Sequence, residues 1–197
     1  MKISWTTLCW VSMAWAESGG IVGRGVLLDY ASWASQNSIK LTPFSSTTIL
    51  LSHLQRLITD QNIVFHPGDI LFLRTGFTVA FNALDDSEQK ILVARATADF
   101  AGVESSEAML KFLWENQFAA VAGDCPSFES SPVTGGAMWC LHEWLLAGWG
   151  MPIGEMFDLE RLGEMCRRKG RWSFFLCSVP LKVPGGVANP PNAVAIF

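Results

Sequence analysis

Charge is scarce in this 197-residue chain: 16% of its residues are charged, against about 25% in an average globular domain. The 14 basic and 18 acidic residues leave a net charge of −4, the wrong sign for an electrostatic grip on phosphate backbones, so no nucleic-acid partner is expected. No apolar run reaches the roughly 20 residues that a bilayer crossing needs, so no membrane partner is expected either. Five cysteines, at 9, 125, 140, 166 and 177, include no C-x-x-C pair. Their odd number and wide spacing fit neither a disulfide framework nor a thiolate zinc knuckle, and buried free thiols are expected. Gly23-Arg24-Gly25 is too short for a dinucleotide fingerprint, and the chain has no G-K-[ST] and no G-x-S-x-G. Nothing therefore points to a nucleotide enzyme or a serine hydrolase.

What is present is apolar. Hydrophobic residues make up 50% of the chain, with nine Trp and 13 Phe, and the length suffices for a sizeable core without disulfides. Ile21–Leu28, Ile70–Arg74, Phe118–Ala122, Trp172–Cys177 and Ala193–Phe197 read as strands. Helical spacing appears over Thr48–Ile58, with Ser46 and Thr47 as caps, and after Asp85, Ser105 or Ser106, and Leu159. Met138–Trp149 reads as a Trp-rich amphipathic helix stopped by Gly150 and Pro152. Strands and helices interleave with no polar linker, which predicts a single mixed α/β domain. Residues 1–16 form a separate question. Lys2, an uncharged stretch and Ala14-Trp15-Ala16 have the layout of a short secretory signal, and an ordinary packed apolar segment is the other reading.

Candidate chemistry rests on few residues. His53 falls on an amphipathic helix and His66 in a His-Pro-Gly turn, both ordinary surroundings. His142 is followed by a glycine/proline break and then Glu155, an arrangement that can bring imidazole and carboxylate together as metal ligands or as acid and base. A core histidine has the same local pattern. Cys140 sits two residues before His142, a helical spacing that points the two side chains apart. Asp124 ends an apolar strand, where α/β sites are often built, and it equally suits a turn cap. Arg24 and Arg74 lie in or beside strands and need carboxylate partners if buried. Asp29 and Asp69 are the candidates.

The blocks GIVGRGVLLDY (20–30), PGDILFLRTGF (67–77), AAVAGD (119–124), LHEWLLAGWGMPIGE (141–155) and PGGVANPPNAVAIF (184–197) resemble the cyclase family, which includes bacterial kynurenine formamidases and isatin hydrolases. The match is closest to its fungal branch. The resemblance implies a mixed α/β swivelling fold over residues 17–197, with residues 1–16 an unmatched leader. It also implies a metal-dependent hydrolase of amide or lactam bonds, such as N-formylkynurenine to kynurenine in tryptophan catabolism. The partners it implies are a small aryl formamide or lactam and, as a homo-oligomer, further copies of the chain. By motif position His142 and Glu155 would be metal ligands for zinc or manganese, and Asp124 a pocket aspartate. Trp139 and Trp144 are candidates for an aryl pocket or for core packing. The family's first metal motif, H-x-G-T-H-x-D, has no counterpart here. The resemblance therefore implies an N-terminally truncated member, which is expected to be weak or inactive, to bind no metal at all, or to serve as a binding protein. A cytoplasmic location is expected, or secretion if residues 1–16 act as a signal.

Overall fold

Each parallel strand of the central sheet hands over to a charged residue at its carboxyl end, and this regularity places the site. The computed structural model describes residues 15–133, 137–184 and 188–197. Strand β1 (Ile21–Leu28) pairs in parallel with β3 (Ile70–Leu73), β3 with β5 (Ala120–Gly123), and β5 with β6 (Ile153–Gly154). On the other side of β1, β7 (Ser173–Ser178) and then β8 (Val194–Ile196) add antiparallel, giving the order β6-β5-β3-β1-β7-β8. A separate parallel pair joins β2 (Thr48–Ile49) to β4 (Gly102–Val103). The residues that follow β6, β5, β3 and β1 are Glu155, Asp124, Arg74 and Asp29.

Strand side chains alternate between faces, and both faces are covered, as parallel strands require. Leu28, Leu71, Leu73 and Val121 turn to one core. There they meet Tyr30 and Trp33 of α1 (Tyr30–Gln36), Leu54 and Leu57 of α2 (Leu51–Asp60), and Met109 and Leu113 of α5 (Glu107–Glu115). Leu27, Ile70, Phe72 and Ala122 turn to the second, closed by Cys166 of α6 (Glu160–Lys169) and by Phe174 and Leu176. At Gly25 a Cβ would stand 2.2 Å from the Phe174 ring, so glycine is what lets that ring lie against β1. Two short helices, α3 (Phe77–Asn82) and α4 (Asp86–Val93), link β3 to β4.

Two expectations are corrected. Thr48 and Ile49 form β2, and the helix begins only at Leu51, with Leu50 as its N-cap and no side-chain capping bond. Ser46 and Thr47 are engaged elsewhere, with Asp99 and with the Thr42 carbonyl. Met138–Trp149 is not one α-helix: a 3-10 turn over Ala137–Trp139 leads into a π-helix over Glu143–Trp149. In that wider helix residues five apart face each other, and the Trp144 and Trp149 rings lie 6.2 Å apart.

The arginines find the expected partners. Arg24 pairs with Asp69 at 2.8 Å, and Arg74 with Asp29 and Glu160 at 2.6 Å each, while Arg167 also bonds the fully buried Asp29. Cys125, Cys140, Cys166 and Cys177 are free thiols. Burial pushes those of Cys125 and Cys166 up to about 12, which keeps them protonated and inert. Among the described residues no helix is long and apolar enough to cross a membrane. Of the signal-like segment 1–16, residues 1–14 lie outside the described residues, while residues 15–17 form a helical turn.

Candidate metal centre

His142 occupies the N-cap position of the π-helix, and Gly150, in the left-handed conformation at φ 65°, ends it. The chain then turns back through Pro152 into β6, which delivers Glu155 at the carboxyl edge of the sheet. This out-and-back path brings His142 Nε2 to 3.1 Å from Glu155 Oε1. Glu155 Oε1 is buried and accepts no aligned hydrogen bond. At this distance the two groups pair as ions when the ring is protonated, and they equally suit two ligands of one cation, because imidazole nitrogen and carboxylate oxygen both bind zinc or manganese.

The other ring nitrogen is occupied. His142 Nδ1 lies 2.7 Å from Glu129 Oε2, and the His142 backbone N–H donates to Glu129 Oε1 at 3.0 Å. Burial works against ionisation of Glu129, but its hydrogen bond with His142 and the charge there outweigh it and hold the carboxyl below its usual range. For His142, the hydrogen bond to Glu129 and then the Glu155 carboxylate push the imidazole up to about 10, against burial. Without a metal the ring is therefore a cation between two carboxylates at neutral pH. Glu129 was missed in the sequence because nothing in its spacing singles it out, 13 residues and a 3-10 turn before His142.

The two protein donors fit part of a metal set. Among the described residues no group of three His, Cys, Asp or Glu side chains is arranged to hold a metal, whereas catalytic zinc sites use three protein ligands and an open position.

Asp124 is held in a different set of contacts. Its Oδ1 accepts from the Thr75 N–H at 2.7 Å and the Thr75 hydroxyl at 2.8 Å, and its Oδ2 from the N–H groups of Gly76 and Phe77 at 2.7 and 3.1 Å. It caps the turn after the neighbouring strand β3, not the turn that follows it in sequence. His53 lies on α2 with Nδ1 2.9 Å from the Tyr30 hydroxyl, and the His66 N–H donates to Asp69 within the predicted turn. Trp139 packs against the first core. Trp144 is exposed and donates its indole N–H to the Met138 carbonyl. A groove of about 490 Å³ at the amino edge of β5 and β6, lined by Trp114, Trp149 and Met151, contains none of His142, Glu155 or Asp124.

Fold and site together define a single α/β domain with a mostly parallel sheet and an imidazole–carboxylate pair at one end of it. Residues 12–130 match the family model described as "Putative cyclase", and the chain belongs to that family. His142 and Glu155 lie beyond the matched range. A solved structure described as a novel cyclase is 30% identical, with a TM-score of 0.75 over 90% of this chain and 54% of its own. Isatin hydrolase A from Ralstonia solanacearum is 15% identical, with a TM-score of 0.65 over 88% of this chain and 59% of its own. Isatin hydrolase A from Labrenzia aggregata, bound to benzyl benzoate, is 16% identical, with a TM-score of 0.66 over 98% and 68%. At those identities the two isatin hydrolases show the shared fold. The chain spans a little over half the length of the first two of these structures. A search of curated proteins gives no match.

Proposed function

We propose that this chain carries part of the metal centre of a hydrolase that cleaves the C–N bond of small aryl formamides or lactams, with arylformamidase activity as the first to assay. The observation that carries the reading is the contact of His142 Nε2 with the buried Glu155 Oε1 at 3.1 Å. Family membership supports it, as do the solved neighbours described as isatin hydrolase and as a potential metal-dependent hydrolase with cyclase activity. When bound, zinc or manganese supplies a water that ionises near neutral pH and polarises the carbonyl under attack. The chain's own residues do the rest of the work visible here. Glu129 keeps the Nδ1 side of His142 occupied, the sheet edge fixes Glu155, and Asp124 holds the Thr75–Phe77 turn alongside. Free thiols at four described cysteines suit a reducing compartment, so we place the protein in the cytoplasm, with secretion the alternative if residues 1–16 act as a signal.

With two described donors, turnover is expected to be slow. One observation favours a second reading, a binding protein without catalysis: no described group of three ligands exists. The test is hydrolysis of N-formylkynurenine and isatin by the full chain with added zinc or manganese, beside His142→Ala. Metal-dependent turnover that the substitution removes supports the hydrolase. Metal bound at the pair with no turnover of either substrate favours the binding protein.

A further inference from the structure

We propose that Glu129 is the positioning residue of the His142 site, setting both where the ring stands and which of its nitrogens is free to bind. The inference rests on the metal-centre reading above and deepens it. Glu129 spends both carboxylate oxygens on one residue: Oε1 takes the His142 backbone N–H at 3.0 Å, and Oε2 faces Nδ1 at 2.7 Å. An ionised carboxylate has no proton to give, so Nδ1 must carry one. In a neutral ring that leaves the lone pair on Nε2, the nitrogen that faces Glu155. Bonding backbone and ring together also fixes the imidazole's direction, because the side chain cannot rotate without leaving Oε2.

Glu129 is itself firmly placed. Its side chain is 2% exposed, and the Cys140 thiol approaches Oε1 at 3.6 Å. Its backbone lies against β4. Val103 bridges to Glu129, the Val103 N–H donates to the Phe128 carbonyl at 3.0 Å, and the Ser130 N–H donates to the Val103 carbonyl at 2.9 Å. A Cβ on Gly102 would come within 2.3 Å of the Glu129 carbonyl carbon, so only glycine there permits this approach. The small β2–β4 pair thereby gains a role: it supports Glu129, which orients His142 toward Glu155.

The test uses the full chain labelled with 15N-histidine, with zinc chloride as the probe. In the wild type the His142 Nδ1 proton is expected to exchange slowly with solvent, both in chelator and after zinc addition. Glu129→Gln keeps the size but can satisfy only one of the two His142 donors. It should speed exchange of that proton about tenfold, the equivalent of one lost hydrogen bond, and weaken zinc binding measured by calorimetry about 10–100-fold. A wild-type ring without a proton on Nδ1 overturns the proposal, and needs no variant. So does a folded Glu129→Gln protein with unchanged exchange and zinc affinity. If the wild type takes up no zinc, the metal reading fails, while the difference in Nδ1 proton exchange between wild type and Glu129→Gln in chelator still decides the role of Glu129.

Discussion

Substituting Asp124 with asparagine keeps the side chain's size and removes half of its accepting capacity. The amide oxygen can still serve the Thr75 N–H and hydroxyl, but the NH2 group then faces the N–H groups of Gly76 and Phe77, which now donate to Oδ2 at 2.7 and 3.1 Å. Two buried amides lose their acceptor at about 1–3 kcal/mol each, or about 2–6 kcal/mol together. Asp124 is fully buried, and burial pushes its carboxyl pKa up against the pull of these donors, so removing the charge relieves part of that cost. A net loss of about 3 kcal/mol is expected, equal to a melting point lowered by on the order of 10 °C in a protein of this size. Urea denaturation of the metal-free chain measures it, read as a change of midpoint at constant slope. A loss below about 1 kcal/mol would refute the capping role and return Asp124 to the list of groups available for chemistry.

Arg74→Ala should cost about 3 kcal/mol, because it leaves the buried Asp29 with one guanidinium fewer and Glu160 unpaired; an unchanged urea midpoint contradicts this. Asp85 predicts a pH dependence of known sign. The Ser87 hydroxyl and the Glu88 and Ser87 backbone N–H groups hold its carboxyl below its usual range of 3.8. The stability it contributes is therefore present above the unfolded pKa and is lost as pH falls through the lower folded value. The difference between wild type and Asp85→Ala should be constant around neutrality and disappear in acid, and a difference that persists in acid contradicts it. Gly25→Ala must move the Phe174 ring off β1 and should cost about 1–3 kcal/mol, visible as a lowered melting temperature.

Legibility in the sequence followed how local each cause is. Strand β1 spans Ile21–Leu28 as read, since an apolar, β-branched run between glycines has few other uses. Of the two serines read as a cap, Ser106 is the one that caps, and Asp85, read as the start of a helix, is its N-cap. That Arg24 and Arg74 would meet carboxylates such as Asp29 and Asp69 followed from the cost of burying arginine unpaired, but which pairs with which came only from the structure. The π-helix was not legible, because buried Leu141 and Leu145 sit four apart and satisfy an ordinary helix. Only the ring contact of Trp144 with Trp149 distinguishes the wider turn. Helical spacing argued against a Cys140–His142 pair, and the structure turns both residues onto a third one, Glu129. The partners of Asp124 lie 47 to 49 residues away on a neighbouring strand end, so no local pattern could name them.

His142 and Glu155 are proposed to bind one metal ion together. Elemental analysis after incubation with zinc and manganese, followed by desalting, tests it against the His142→Ala, Glu155→Ala double variant. Near-stoichiometric metal in the wild type, lost in the folded double variant, is the predicted result. A folded wild type that retains no metal, or a double variant that retains as much, would contradict the account.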